Sequence, residues 1–230
     1  MKKPIIGIVS KHYKKENIRP DMYIRDEVKQ AIFDNSGIAI GILLPKAEKV
    51  DVEDNWFNNL SDIEYDNLIN QIKLCDGIVI QGGSACDNYE MIVAKYCYDH
   101  DIPTLGLCCG QNVMVRALGG KTYTIDNPEK HNRKEDLYVH NIKIDKNSKF
   151  YDIVKKDEIM VNSRHTKSIS ECPNLDKVAF CEDGYVDVVE AKNKKFYIAT
   201  RFHPESLYKT DNDMNNIFKY FINVCVENSK

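Results

Sequence analysis

With 230 residues, 43% hydrophobic and 29% charged side chains and a formal charge of −3, the chain reads as a soluble globular protein with no bulk attraction for nucleic acid or an anionic membrane. No apolar stretch approaches the roughly 20 residues that span a bilayer, and the start, MKKPIIGIVS, runs straight into a strand-like segment instead of a signal-peptide pattern. Eight cysteines without a regular framework, no CxxC pair and no HExxH lead us to expect reduced thiols, a cytoplasmic location, no metal and no organic cofactor.

In chain order, PIIGIVS (4–10) is expected to be a buried strand, and the basic KHYKKENIR after it a solvated loop. Residues 21–37 carry apolar side chains at helical spacing and stop at Gly37, which predicts a helix. IAIGILLP (38–45) is a second strand, closed by proline. Residues 62–77 read as a helix, and GIVIQGG (77–83) as a third strand ending in paired glycines. NYEMIVAKYCYDHD (88–101) is helical, PTLGLC (103–108) is a fourth strand, and GQNVMVRALGG opens the next helix.

The second half changes character. DLYVHNIKID, IMVNS, KVAFCEDGYVDVVEA and FYIATRFHP read as strands, with an Asp-Gly hairpin turn in EDGY (182–185), and residues 212–229 form a closing helix. Alternating strand and helix predicts an α/β fold. We expect a flavodoxin-like three-layer sandwich whose central, mostly parallel sheet has helices on both faces. Extra antiparallel strands fall in the C-terminal half, and one domain covers 1–230.

The segment GLCCG (106–110) carries the chemistry. Glycines two positions to either side of Cys108 leave room for a sharp strand-to-helix turn, which holds the side chain out beside the positive end of the following helix. That position lowers a thiol pKa. Cys109 sits one place off and points elsewhere. A lone cysteine in an α/β core is more often inert packing, so the reading needs a base. RFHPES supplies one: His203 leaves a strand end, and Glu205 stands two residues on, where it can orient the imidazole. Backbone N–H groups of Gly83 and Cys109 could converge on an oxyanion. A polar loop and a glycine turn are the plainer explanations of these two segments taken singly.

In this order the pieces resemble the class I glutamine amidotransferase superfamily, closest to its γ-glutamyl-γ-aminobutyrate hydrolase-type branch. KPIIGIVS, GIAIGILLP, CDGIVIQGG, PTLGLCCG, ALGG, VNSRHTKSI, EDGYVDVVE and RFHPE carry the resemblance along nearly the whole chain, with His-x-Glu roughly ninety residues after the cysteine. The resemblance implies Cys108 as nucleophile, His203 as base and then acid, Glu205 as its orienting group, and Gly83 and Cys109 as oxyanion donors. It implies substrate contacts at Gly82, Asn112, Asn162, Ser163, Arg164 and His165, although a core histidine or surface loop explains His165 almost as well. The chain departs from the family's pattern in carrying Cys109 where arginine is usual and Asn112 where a glutamine is common, with Gln111 one place early. The segment after the paired glycines is also short.

The implied activity is a cysteine-dependent hydrolase that cleaves the γ-glutamyl amide of a small conjugate through a glutamyl thioester. The alternative is a glutaminase subunit that delivers ammonia to a separate synthetase partner. A non-catalytic binding role is the third reading. Partners are then a small-molecule γ-glutamyl substrate, no nucleic acid and no membrane, with a homodimer left open. The leaving amine would meet the loops 11–22, 46–61 and 121–135. Among these, His131, Arg133 and Lys134 could meet an anionic group, but a solvated loop is the preferred account.

Overall fold

The computed structural model describes residues 2–13, 21–44, 60–83 and 88–229. Its elements are β1 (Ile5–Val9), β2 (Lys11–Tyr13), β3 (Asp21–Tyr23), α1 (Asp26–Asp34), β4 (Ile38–Ile42), α2 (Asp62–Lys73), β5 (Gly77–Ile80), α3 (Asn88–Asp99), β6 (Thr104–Leu107) and α4 (Cys109–Ala117). There follow β7 (Lys121–Thr124), α5 (Pro128–His131), β8 (His140–Ile144), α6 (Lys149–Val154), β9 (Glu158–Val161), β10 (Lys167–Glu171), β11 (Asp176–Cys181), β12 (Val186–Glu190), β13 (Tyr197–Thr200) and α7 (Asn212–Asn228).

Nine strands form one sheet in the order β4-β1-β5-β6-β13-β12-β11-β8-β9. The first five are mutually parallel, and from β13 onward each neighbour is antiparallel. β5, β6 and β13 are buried along their whole length because helices cover both faces, which is why they read as unbroken apolar runs. Alternation divides their side chains between two cores. Val79, Leu105 and Ile198 pack with α1, α6 and α7, while Ile78, Ile80 and Ala199 pack with α2, α3 and α4. Each large apolar side chain taken fully into these layers contributes roughly 1.5–3 kcal/mol. The fold class is the expected one.

Differences lie in short elements. The helix expected over 21–37 begins only at Asp26, because Asp21–Tyr23 pairs antiparallel with Lys11–Tyr13. Lys11, expected on a solvated loop, is buried and ion-paired to buried Glu90 at 2.6 Å. Six-residue α6 is started by Ser148, whose hydroxyl accepts from the Tyr151 N–H, and by Glu190, whose carboxylate accepts from the N–H groups of Lys149 and Phe150. The segment 121–135 holds β7, paired with β10, and α5 rather than a featureless loop. Most of the other two expected substrate loops, at 14–20 and 45–59, lies outside the described residues. No helix among the described residues is long and apolar enough to cross a membrane.

Candidate active site

Cys108 is the residue between β6 and α4, and its backbone has φ 51° and ψ −105°. A non-glycine residue there is strained, and strain of this kind is retained where surrounding structure over-determines it. The flanking glycines explain how. A Cβ on Gly110 would stand 2.1 Å from the Ile80 carbonyl oxygen, and one on Gly106 would stand 2.4 Å from the Met114 sulfur. Only bare backbone lets α4 press onto β5 and β6 closely enough to fix the turn. Cys109 opens α4, so its N–H belongs to the positive end of the helix dipole.

The second segment comes from β13. After Thr200 the chain leaves the sheet, and His203 Nδ1 lies 2.6 Å from Glu205 Oε1, with the Glu205 side chain fully buried. The His203 imidazole stands beside Cys108, and each group shifts the other's pKa. Burial alone would push the thiol up and the imidazole down, and it is the largest single influence on each. The opposed charges outweigh it. His203 and Arg201 bring the thiol below its ordinary value, and the thiolate and Glu205 raise His203 to about 10. Thiols without such a partner go the other way: burial pushes Cys75 and Cys97 up to about 12. Both shifts run in the direction that favours a thiolate beside an imidazolium, a pair suited to attack on a carbonyl followed by proton donation to the leaving group.

The pair opens on a cavity of about 640 Å³. Gly83, Cys109, Asn112, Arg164 and His165 line it. Gly82 packs behind the pair, where a Cβ would lie 3.1 Å from His203 Cε1 and 3.2 Å from Cys108 Cβ. Two of the expected substrate contacts are not among the residues that line the cavity. Asn162 does not line the cavity; its side chain accepts from the His203 N–H at 2.7 Å and donates to the His203 carbonyl at 2.8 Å. Ser163 is fully buried, away from the cavity, and its carbonyl accepts from the Arg133 N–H. Gln111 is spoken for as well, donating to the carbonyls of Asp187 and Ala199 across the floor of the sheet.

The sequence pointed to Arg164 and weighed Lys134, but did not reveal the other cations. Arg25, Lys134, Arg164, Lys167 and Arg201 all line the cavity, and no carboxylate does so among the described residues. Arg201 is 1% exposed and donates to Asn112 Oδ1 at 2.7 Å. Its neighbour His165 is held neutral, pushed down to about 2 chiefly by burial and then by the Arg201 charge. Two-residue periodicity from β13 could have flagged Arg201, since it stands two places before His203. Lys134, read as part of a solvated loop, reaches the cavity wall, whereas Arg133 pairs with Asp136.

Comparison with known proteins follows the same lines. Residues 81–205 match the Peptidase C26 family. A CTP synthase of Lactococcus lactis subsp. cremoris (strain MG1363) is 25% identical over 219 residues, 80% of this chain and 40% of that protein. The chain thus spans well under half the length of that relative. A glutamine amidotransferase-like protein of Lactococcus lactis subsp. lactis (strain IL1403) is 25% identical over 186 residues, 69% of this chain and 78% of that one. The glutaminase domain of Trypanosoma brucei CTPS, solved with bound acivicin, superposes with a TM-score of 0.68 at 17% identity, covering 99% of this chain and 96% of that one. At that identity the likeness is one of fold.

Proposed function

Because the chain belongs to the Peptidase C26 family, we propose that it is a glutaminase that acts through Cys108 and supplies ammonia to a separate synthetase partner. The observation that carries this reading is the Cys108–His203–Glu205 arrangement at a helix N-terminus, a charged nucleophile–acid pair oriented by a buried carboxylate. Likeness to glutamine-using CTP synthases supports glutamine as the amide and a synthetase as the consumer of its ammonia.

The Cys108 thiolate attacks the γ-carbonyl, and the oxyanion develops toward the N–H groups of Cys109 and Gly83. His203 gives its proton to the departing nitrogen, the C–N bond breaks, and a glutamyl thioester remains. His203, now neutral, takes a proton from water, whose oxygen attacks the thioester. Glutamate leaves and the thiolate is restored. Arg164 and Arg201 line the same cavity and would supply the counter-charge to a substrate carboxylate.

A second reading keeps the same chemistry but replaces ammonia with a larger leaving amine. The cavity favours it: about 640 Å³ is room for a drug-sized ligand, and five cations with no carboxylate among the described residues suit a conjugate bearing more than one anionic group. Release of glutamate from glutamine, γ-glutamyl-γ-aminobutyrate, γ-glutamyl-ethanolamine and γ-glutamyl peptides, by wild type and Cys108→Ala, separates the two. Glutamine turned over in preference to the conjugates, and lost in Cys108→Ala, supports the glutaminase. A conjugate turned over far faster than glutamine transfers the site to the hydrolase. No turnover of any amide, with Cys108 inert to a glutamine-like electrophile, removes both.

A further inference from the structure

Behind the cavity wall lies a cluster of side chains that the proposed chemistry does not use. His131 ends α5, His140 opens β8, Cys181 ends β11 and Asp187 lies on β12, while His165 sits between β9 and β10. All but His140 are buried, and its side chain is only 12% exposed. Ring centroids are 5.0 Å apart for His131 and His140, and 5.1 Å for His131 and His165. Donor atoms of His131, His140 and Cys181 lie within 4.8 Å of one another, as do those of His140, His165 and Asp187.

The hydrogen bonding around this cluster is incomplete in a patterned way. His131 Nε2 meets Asp183 Oδ2 at 3.2 Å, and His140 Nε2 stands 3.4 Å from Asp187 Oδ1. In both rings the other nitrogen, Nδ1, has no hydrogen-bond partner, and His165 has none at either nitrogen. Buried polar atoms are ordinarily paired, since each orphan forfeits its hydration without return. A histidine with a carboxylate on one nitrogen and nothing on the other is the form a metal-binding imidazole takes, the carboxylate fixing tautomer and ring direction. A buried thiol beside two such rings completes a nitrogen–sulfur donor set.

We propose that this cluster is a binding site for one divalent first-row transition ion, with zinc the best match to its donors, held by His131, His140 and Cys181. Two imidazoles and a thiolate are nitrogen and sulfur ligands that suit zinc, softer than magnesium or calcium sites accept. Nitrogen and sulfur donors within 4.8 Å need only a modest contraction to surround an ion at 2.0–2.3 Å. The site is structural in placement: it ties together α5, the start of β8 and the end of β11, beside the His165 ring that packs on His131 and lines the cavity. Binding would release the thiol proton of Cys181 and leave both imidazoles neutral. The inference stands apart from the glutaminase reading, because neither Cys108 nor His203 takes part.

The test is a titration of chelator-stripped full-length protein with Co²⁺, read by visible and near-ultraviolet absorption, followed by competition with Zn²⁺. The expected result is one Co²⁺ per chain, a thiolate-to-cobalt charge-transfer band, complete displacement by Zn²⁺, and a higher melting temperature with Zn²⁺ than without. Cys108→Ala should leave all four unchanged. Cys181→Ser should lose the charge-transfer band, and His140→Gln should lose stoichiometric binding. The Cys108→Ala arm needs neither ligand variant to fold. A charge-transfer band that disappears in Cys108→Ala would put the ion on the nucleophile and overturn the proposal. So would wild-type protein that binds no Co²⁺ at equimolar concentration, or a band that survives in folded Cys181→Ser.

Discussion

Asn162 tests whether His203 is held by its backbone. The Asn162 side chain forms two buried hydrogen bonds with the main chain of His203, one accepted at 2.7 Å and one donated at 2.8 Å. Asn162→Ala removes both partners and leaves a buried N–H and a buried carbonyl unsatisfied. At about 1–3 kcal/mol for each orphaned group, the loss is roughly 2–4 kcal/mol of stability once some relaxation is allowed. The catalytic cost is separate: a base displaced by an ångström lowers turnover on the order of 10²-fold. Iodoacetamide alkylation of Cys108 as a function of pH, together with kcat and KM for the best amide, distinguishes positioning from substrate contact. The variant should lose kcat, keep KM within a few-fold, and show its alkylation midpoint shifted toward the ordinary thiol value, because His203 no longer supports the thiolate. Asn162→Asp keeps the acceptor for the N–H but sets an oxygen against the carbonyl, so it should fall between alanine and wild type. A variant with wild-type alkylation at every pH and only a raised KM would refute the argument and make Asn162 a substrate contact.

The thiolate–imidazolium pair fixes further outcomes. Its lowered thiol contributes stability above the ordinary thiol value and loses it as pH falls through the folded value. Raised His203 contributes below about 6.5 and loses that contribution as pH climbs through about 10. Amide hydrolysis should therefore decline as pH climbs toward 10, and Glu205→Gln should move that alkaline limb down while lowering kcat on the order of 10²-fold or more. Gly110→Ala places a Cβ 2.1 Å from a backbone oxygen and should prevent native folding by circular dichroism. Gly82→Ala, at 3.1 Å from His203 Cε1, should fold but alkylate and turn over more slowly. Lys11→Met breaks the buried Lys11–Glu90 ion pair and should cost about 3–5 kcal/mol in urea unfolding, most of it recovered in the Lys11→Met/Glu90→Leu double variant.

What the sequence revealed, and what it hid, follows from how local each signal is. β5, β6 and β13 were legible because strands covered on both faces are continuous apolar runs. α6 was not, because KFYDIV is too short for periodicity, and its start depends on a carboxylate from β12, 40 residues away from the Phe150 N–H it accepts. β2 and β3 have three residues each, and their mutual pairing overrides the helical spacing that begins at Asp21. Cys108 and the His203–Glu205 pair were legible because glycine spacing and a two-residue separation are local patterns. Asn162 was assigned to the wrong partner because position alone placed it on a pocket loop, whereas it faces the main chain of His203. The cationic wall and the histidine cluster were hidden for one reason: their members come from distant segments that only the folded sheet brings together.

That gathering has a definite place in the sheet. β6 and β13 are parallel neighbours in the register Leu107↔Thr200, and the Cys108 N–H donates to the Thr200 carbonyl at 2.8 Å. One residue past Leu107 comes the thiol, and three past Thr200 comes the imidazole, so the strand register alone sets both at one edge despite their separation in sequence. β13 is also where pairing changes from parallel to antiparallel. On its parallel side, strand ends lead into helix N-termini, which supply positive potential and backbone N–H groups. On its antiparallel side, β12, β11 and β8 supply Asp187, Cys181 and His140 to one wall. Gln111 joins the two halves, its amide donating to Ala199 on β13 and Asp187 on β12 from within α4. A change on β12 should therefore reach Cys108 through α4 as well as through Arg201, whose N–H donates to the Asp187 carbonyl at 2.6 Å.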